Sequence, residues 1–218
     1  SLNFNIRIIN SFNNIYSTHF DGVDDYVSLG VSGMSAAKNT GSISAWFKLE
    51  TISSSCDLIR IYEDNSNNVR ILYHASSNEL RCIYIAGGTA TSVITTDVIE
   101  GDDIWHHVSG TWDKNGNLSL YLDGNLKEVN PISGTFVGSF TTAGIGTNIG
   151  GNFWKGNIDE VTLFNKELSG TEVANLYNNG LPFNPKPLAN MIGYWKMGDG
   201  GIVGDPIATY PTIVDETG

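Results

Sequence analysis

The sequence predicts an all-β sandwich with one short helix near its C-terminal end. Three observations predict it: 25 glycines in 218 residues, many short β-branched runs parted by turn-forming Asn, Ser, Thr and Gly, and almost no stretch with a helical period. A chain of this length suffices for one large β-domain with a sizeable core.

From Ser42 to Leu49 the residues alternate, with Ile43, Ala45, Phe47 and Leu49 on one face and Ser42, Ser44, Trp46 and Lys48 on the other. The apolar face is core, so Trp46 belongs to the opposite one. Further on, the runs Leu58 to Tyr62, Val69 to Tyr73 and Leu80 to Ile85 are divided by Asp64-Asn-Ser-Asn-Asn68 and Ser76-Ser-Asn78, which predicts a meander of adjacent antiparallel strands. Cys56 and Cys82, the only cysteines, then lie on its first and third strands. About two spacings of ~4.8 Å separate them, beyond disulfide reach, so two free thiols are expected.

Trp105 to Asp113 and Leu118 to Asp123 flank Asn115-Gly116, residues that accept the positive φ of a tight hairpin turn. Leu118, Leu120 and Leu122 should point inward together. The loop 144–153 (Gly-Ile-Gly-Thr-Asn-Ile-Gly-Gly-Asn-Phe) lets backbone and amide groups come close to a ligand. Asn148 and Asn152 are its candidate ligand contacts; the alternative is a plain turn, and its glycines lack the spacing of a phosphate loop. The helix runs from Ser169 to Asn179: Ser169 and Glu172 make a capping box, Val173, Leu176 and Tyr177 form the apolar stripe, and Gly180 ends it. Pro182, Pro185 and Pro187 mark a linker, and the stretch from Tyr194-Trp195 to the end changes character. It reads as the opening of another module or as a tail that wraps back.

Twelve Lys and Arg against 23 Asp and Glu give a formal charge of −11, which repels phosphate backbones and anionic membranes. Nucleic acid is excluded as a partner, and no apolar run reaches the ~20 residues of a membrane helix. The N-terminus also lacks the charged, apolar, small-residue order of a signal peptide. Surplus carboxylates suit a hard cation such as Ca²⁺; most of the Asp residues should nonetheless be solvated turn formers.

Nucleophile and metal motifs are missing: there is no Gly-x-Ser-x-Gly elbow, no His-Glu-x-x-His and no Cys-x-x-Cys. Asp159 and Glu160 are adjacent, so a regular strand sends them to opposite faces, where they cannot act as a carboxylate pair. His106 and His107 diverge likewise and are expected to be structural, with one ring bonded to a neighbouring backbone group. Trp46 shares its face with Ser42, Ser44 and Lys48. On an open surface its ring is a sugar-stacking platform; beneath loops it is packing.

Five short signatures occur in order: Phe20-Asp-Gly-Val-Asp-Asp-Tyr-Val27, Ile43-Ser-Ala-Trp-Phe-Lys48, Trp105-His-His-Val108, Tyr121-Leu-Asp-Gly124 and Gly156-Asn-Ile-Asp-Glu-Val161. Together they resemble the laminin-G-like, concanavalin A-like jelly-roll family. The resemblance implies a two-sheet antiparallel jelly roll over about residues 15–182, an N-terminal extension over 1–14, and a linker and tail over 183–218. It implies a closing role for the helix, core positions for Trp105 and Trp154, and a Ca²⁺ tying the first strand to the last through Asp21 and Asp159, with Asp24 and Asp25 as further ligands. The alternating Glu-x-Asp-x-x-Glu run of the related glycoside hydrolases is missing. The expected function is therefore a non-catalytic carbohydrate-binding or adhesion module, extracellular or on a virion surface, alone or in a homo-oligomer or multi-module assembly. The alternatives are a capsid or tail decoration protein without glycan binding and, third, a hydrolase with an atypical carboxylate pair.

Overall fold

The computed structural model describes residues 14, 16–98, 100–149 and 151–198. The expected N-terminal extension, Asn14 apart, and the end of the tail lie outside the described residues. The strands are β1 (Thr18–Asp21), β2 (Val27–Leu29), β3 (Thr40–Leu49), β4 (Cys56–Asp64), β5 (Asn67–His74), β6 (Glu79–Ala86), β7 (Thr89–Thr95), β8 (His106–Asp113), β9 (Asn117–Leu122), β10 (Asn125–Pro131), β11 (Thr142–Ile145) and β12 (Lys155–Phe164), followed by helix α1 (Gly170–Tyr177) and β13 (Met191–Trp195). They form two antiparallel sheets. The seven-stranded sheet runs β1-β12-β3-β8-β9-β10, with β13 also on β12, and the six-stranded sheet runs β2-β11-β4-β5-β6-β7. This is the all-β sandwich that the alternation and turn spacing predict, in the two-sheet jelly-roll form that the resemblance implies.

The core lies between the sheets. Ile43, Ala45, Phe47 and Leu49 face Ile59, Ile61, Val69, Ile71 and Cys82 across it, and Leu118, Leu120 and Leu122 join them. At one point the layers touch so closely that a Cβ on Gly110 would come within 2.5 Å of Cys82 Sγ. Cys56 and Cys82 are buried free thiols on the first and third strands of the meander β4-β5-β6. Burial pushes both thiols up to about 12, where thiolate is scarce at neutral pH. Neither should react with a thiol reagent at pH 8 in the native protein, and both should react in denaturant; a native reaction at the denatured rate would contradict the packing.

Two local details differ from the sequence reading. The β8–β9 turn does not use positive φ at Asn115 or Gly116. Asp113 organises it instead, accepting the Gly116 N–H at its carbonyl (2.9 Å) and the Asn115 N–H at Oδ1 (3.0 Å). The mirror-image turn lies at Asp123-Gly124, both left-handed with φ 50° and 73°, in the two-residue connection from β9 to β10. The predicted capping box is present at α1, where Ser169 N–H donates to Glu172 and Glu172 N–H to Ser169 Oγ. Left-handed Asn178, not Gly180, closes the helix. Residues 191–195 wrap back onto the sandwich: β13 pairs with β12 and Trp195 enters the main core.

Candidate functional site

The site is built on the outer face of the larger sheet, where β12 departs from a regular strand. Trp46 pairs with Asp159 and Ser44 with Thr162, so Glu160 and Val161 together oppose the single Ala45. This is a β-bulge, and Glu160 takes the left-handed backbone (φ 48°) that the extra residue demands. Ile158 and Val161 stay in the core, which turns both Asp159 and Glu160 outward. The expectation that these neighbours diverge is thus corrected, because the bulge breaks the period of two on which it rests. Their surroundings still differ. Glu160 accepts the Tyr194 hydroxyl hydrogen bond at 2.5 Å and lines a recess of about 10 Å³ with His107, Leu176 and Phe183, room for no more than one water. Asp159, 4 % exposed and accepting the Glu160 N–H at Oδ1 (2.9 Å), lines a cleft of about 240 Å³ with Asn14, Tyr16, Ser17, Trp46, Trp105, Gly180 and Pro182.

Of the two readings of Trp46 the structure has the packed one, and for Trp105 it reverses the expectation. Trp46 is only 4 % exposed: the Tyr177 ring of α1 stacks on it at 5.7 Å and His107 lies beside it at 5.2 Å. It contributes an edge to the cleft, but it is no open platform, because the helix docks over this face. Trp154 is wholly buried, as expected. Trp105 is 37 % exposed, so the core position expected for it is corrected; it precedes the first paired residue of β8 and stands at the cleft mouth. The exposed indole thus shares the cleft lining with Tyr16, Asn14 and Asp159.

The other predicted contacts lie apart. Asn148 and Asn152 do not line the cleft. They brace their own loop: Asn152 N–H donates to Asn148 Oδ1 at 3.1 Å and Asn152 Nδ2 to the Ser55 carbonyl at 3.0 Å. Asp21, Asp24 and Asp25 place carboxylate oxygens within 4.8 Å of one another on the exposed β1–β2 turn, an all-oxygen donor set that fits a hard cation. Asp159 is not with them. Asp21 pairs with Lys155 and Thr18 with Ile158, so Asp159 sits four residues along β12, about 13 Å away at ~3.3 Å per residue. The expected Asp21–Asp159 metal pair does not form.

Beside the cleft, the histidines bond side chains rather than the backbone groups expected. Asp123 accepts from the His107 N–H (2.8 Å) and pairs with His106 Nδ1 (2.9 Å), while His107 Nε2 bonds Ser44 Oγ at 2.7 Å. The Asp123 hydrogen bond raises His106 above its usual value; burial drives His107 down to about 3. The signs oppose. His106 adds stability that is complete below ~6.5, the unfolded value, and is lost as pH rises through its folded value. His107 adds stability present above ~6.5 and lost as pH falls toward about 3. Replacing His107 with Gln should therefore flatten the acid limb between pH 6 and 4 by up to ~1.4 kcal/mol per pH unit. Denaturant melts across that range check it, and parallel limbs would contradict it.

The family model for the concanavalin A-like lectin/glucanases superfamily matches residues 21–174. The chain belongs to this superfamily. No curated protein sequence matches it. Among solved structures, superfamily architecture recurs in domain 4 of AbnA, a GH43 extracellular arabinanase from Geobacillus stearothermophilus, in complex with arabinotriose. That domain has a TM-score of 0.62 at 20 % identity, over 74 % of this chain and 81 % of that one. The receptor-binding domain of a botulinum neurotoxin C/D mosaic serotype gives 0.59 at 20 % identity, over 71 % of this chain and 40 % of that one. A SAP-like pentraxin from Limulus polyphemus gives 0.56 at 16 % identity, over 74 % and 81 %. At these identities the likeness is one of fold. This superfamily member spans less than half the length of the neurotoxin domain it matches. Among the described residues no helix is long and apolar enough to cross a membrane.

Proposed function

We propose that the chain is a non-catalytic carbohydrate-binding module whose site is the cleft at Trp105. The observation that carries this reading is the exposed Trp105 indole, which lines the same cleft as Tyr16 and Asp159. Sugar C–H faces stack on such rings while a carboxylate accepts from hydroxyls. The volume is below the ~300 Å³ at which drug-sized pockets begin, which suits a terminal sugar rather than an enclosed chain. The domain most similar in fold by TM-score among those above was solved with arabinotriose, so arabino-oligosaccharides are the first probes. Catalysis is disfavoured because only Asp159 of the adjacent carboxylates reaches the cleft, whereas Glu160 is held by Tyr194. The setting that fits the reading is an extracellular or virion-surface assembly; a decoration protein without glycan binding is the competing reading.

A glycan array that includes arabinotriose tests it, with wild type, Trp105→Ala and Asp159→Asn compared. Both variants should bind at least about tenfold more weakly, and Trp105→Ala should melt near wild type because its ring is partly solvated. No saturable binding by wild type to any glycan favours the decoration reading. A structural Ca²⁺ on Asp21, Asp24 and Asp25 belongs to the same proposal, because a cation would relieve the repulsion among these carboxylates. Added Ca²⁺ should raise the melting temperature, EGTA should reverse it, and Asp24→Asn should remove the response.

A further inference from the structure

On the far side of the sandwich, the outer face of the smaller sheet carries an arrangement unrelated to the cleft. Ile59, Ile61, Val69 and Ile71 point into the core, so alternation along β4 and β5 turns Arg60, Tyr62 and Arg70 outward. Arg60 and Arg70 are direct cross-strand partners, where like charges repel. Arg81 stands on the neighbouring strand β6, beside Leu72. Three of the chain's four arginines thus share one sheet face in a protein of formal charge −11.

Beneath the Arg60–Arg70 pair lies Asp57, 2 % exposed. Its Oδ2 is 3.9 Å from Nη1 of Arg60 and 3.9 Å from Nη1 of Arg70, beyond hydrogen-bond reach. Among the described residues this oxygen has no hydrogen-bond partner. Burial pushes the Asp57 carboxyl up to about 6, against the pull of Arg70 and Arg60. Arg60 is fixed in place: Nη1 donates to the Asn148 carbonyl at 2.8 Å and its guanidinium lies 4.6 Å from the Tyr62 ring centroid. One carboxylate beneath two guanidiniums leaves a positive charge uncompensated, and the Nε of both arginines is buried without a hydrogen-bond partner among the described residues.

We propose that Arg60 and Arg70 form a binding site for an oxyanion, the carboxylate or sulfate group of an acidic ligand. The anion sits on the solvent side and completes the charge balance that buried Asp57 begins. Guanidinium forks match the paired oxygens of such groups, and the fixed pose of Arg60 lowers the ordering cost of binding. The site is separate from the Trp105 cleft and stands or falls independently of it.

The test is an NMR titration of the ¹⁵N-labelled chain at constant ionic strength with sulfate, acetate, glucuronate and glucose. Sulfate and glucuronate should shift the β4 and β5 amides saturably, and glucose should not. Glucuronate binding more tightly than acetate would identify an acidic sugar as the source of the anion; equal binding would identify the bare anion. Arg70→Gln should weaken binding at least tenfold, while Arg70→Lys keeps the charge, removes the fork and should recover only part of it. Spectra of both variants without ligand report whether the fold is kept, and Arg60→Lys is the second variant if either fails. No saturable shift in wild type, or equal binding by Arg70→Gln, would overturn the proposal.

Discussion

Replacing Gly156 with alanine is expected to lower stability by about 2–6 kcal/mol, through a strained backbone and an overpacked contact. Gly156 stands on β12 with Phe20 of β1 on one side and Leu49 of β3 on the other. Its φ is 123°, and a Cβ there would lie 2.1 Å from the Lys48 carbonyl oxygen. Neither neighbour can yield without breaking a ladder. At about 2–4 °C per kcal/mol for a chain of this size, even the lower bound should be visible in a thermal melt. An unchanged melting temperature would mean that the β1-β12-β3 junction is looser than described.

Trp46→Ala is the second large effect, expected at ~3–5 kcal/mol because the indole is nearly enclosed. The ring fills the space between His107 and Tyr177, and its loss should loosen α1 from the sheet. Hydrogen exchange in residues 170–177 should accelerate more than in the β4–β6 meander. Because the variant loses stability, weakened glycan binding in it would not by itself identify a stacking platform. Trp105→Ala, at the cleft mouth, separates the two effects.

Local patterns carried much of the architecture in the sequence. The alternation of Ser42–Leu49 placed β3 and its core face, the Asn- and Ser-rich gaps placed the meander, and Ser169 with Glu172 placed the start of α1. The left-handed Asp123-Gly124 turn was legible too, since Asp-Gly is a hairpin signal, but Asn115-Gly116 drew that reading instead. The candidate site was harder to read because distant registers decide it. The bulge that turns Asp159 and Glu160 to one face depends on pairing with Trp46 and Ser44, and nothing local in Ile158-Asp-Glu-Val161 announces it. Burial of Trp46 depends on docking of Tyr177, and exposure of Trp105 on β8 pairing only from His106 onward. The separation of Asp21 from Asp159 likewise follows from the register of β1 on β12.

Strand β12 holds the first described strand, β3 and the last described strand at once, and that sets an order of events during synthesis. At ~5–20 residues per second, about 10–35 s separate the emergence of β1 from that of β13. Throughout the last part of that interval, residues 161–164 of β12 wait for their final partner on the edge whose other half β1 takes, and pairings this remote in sequence close slowly. The nascent chain is then most open to aggregation or to capture by a chaperone, and arrival of Tyr194 and Trp195 ends that exposure.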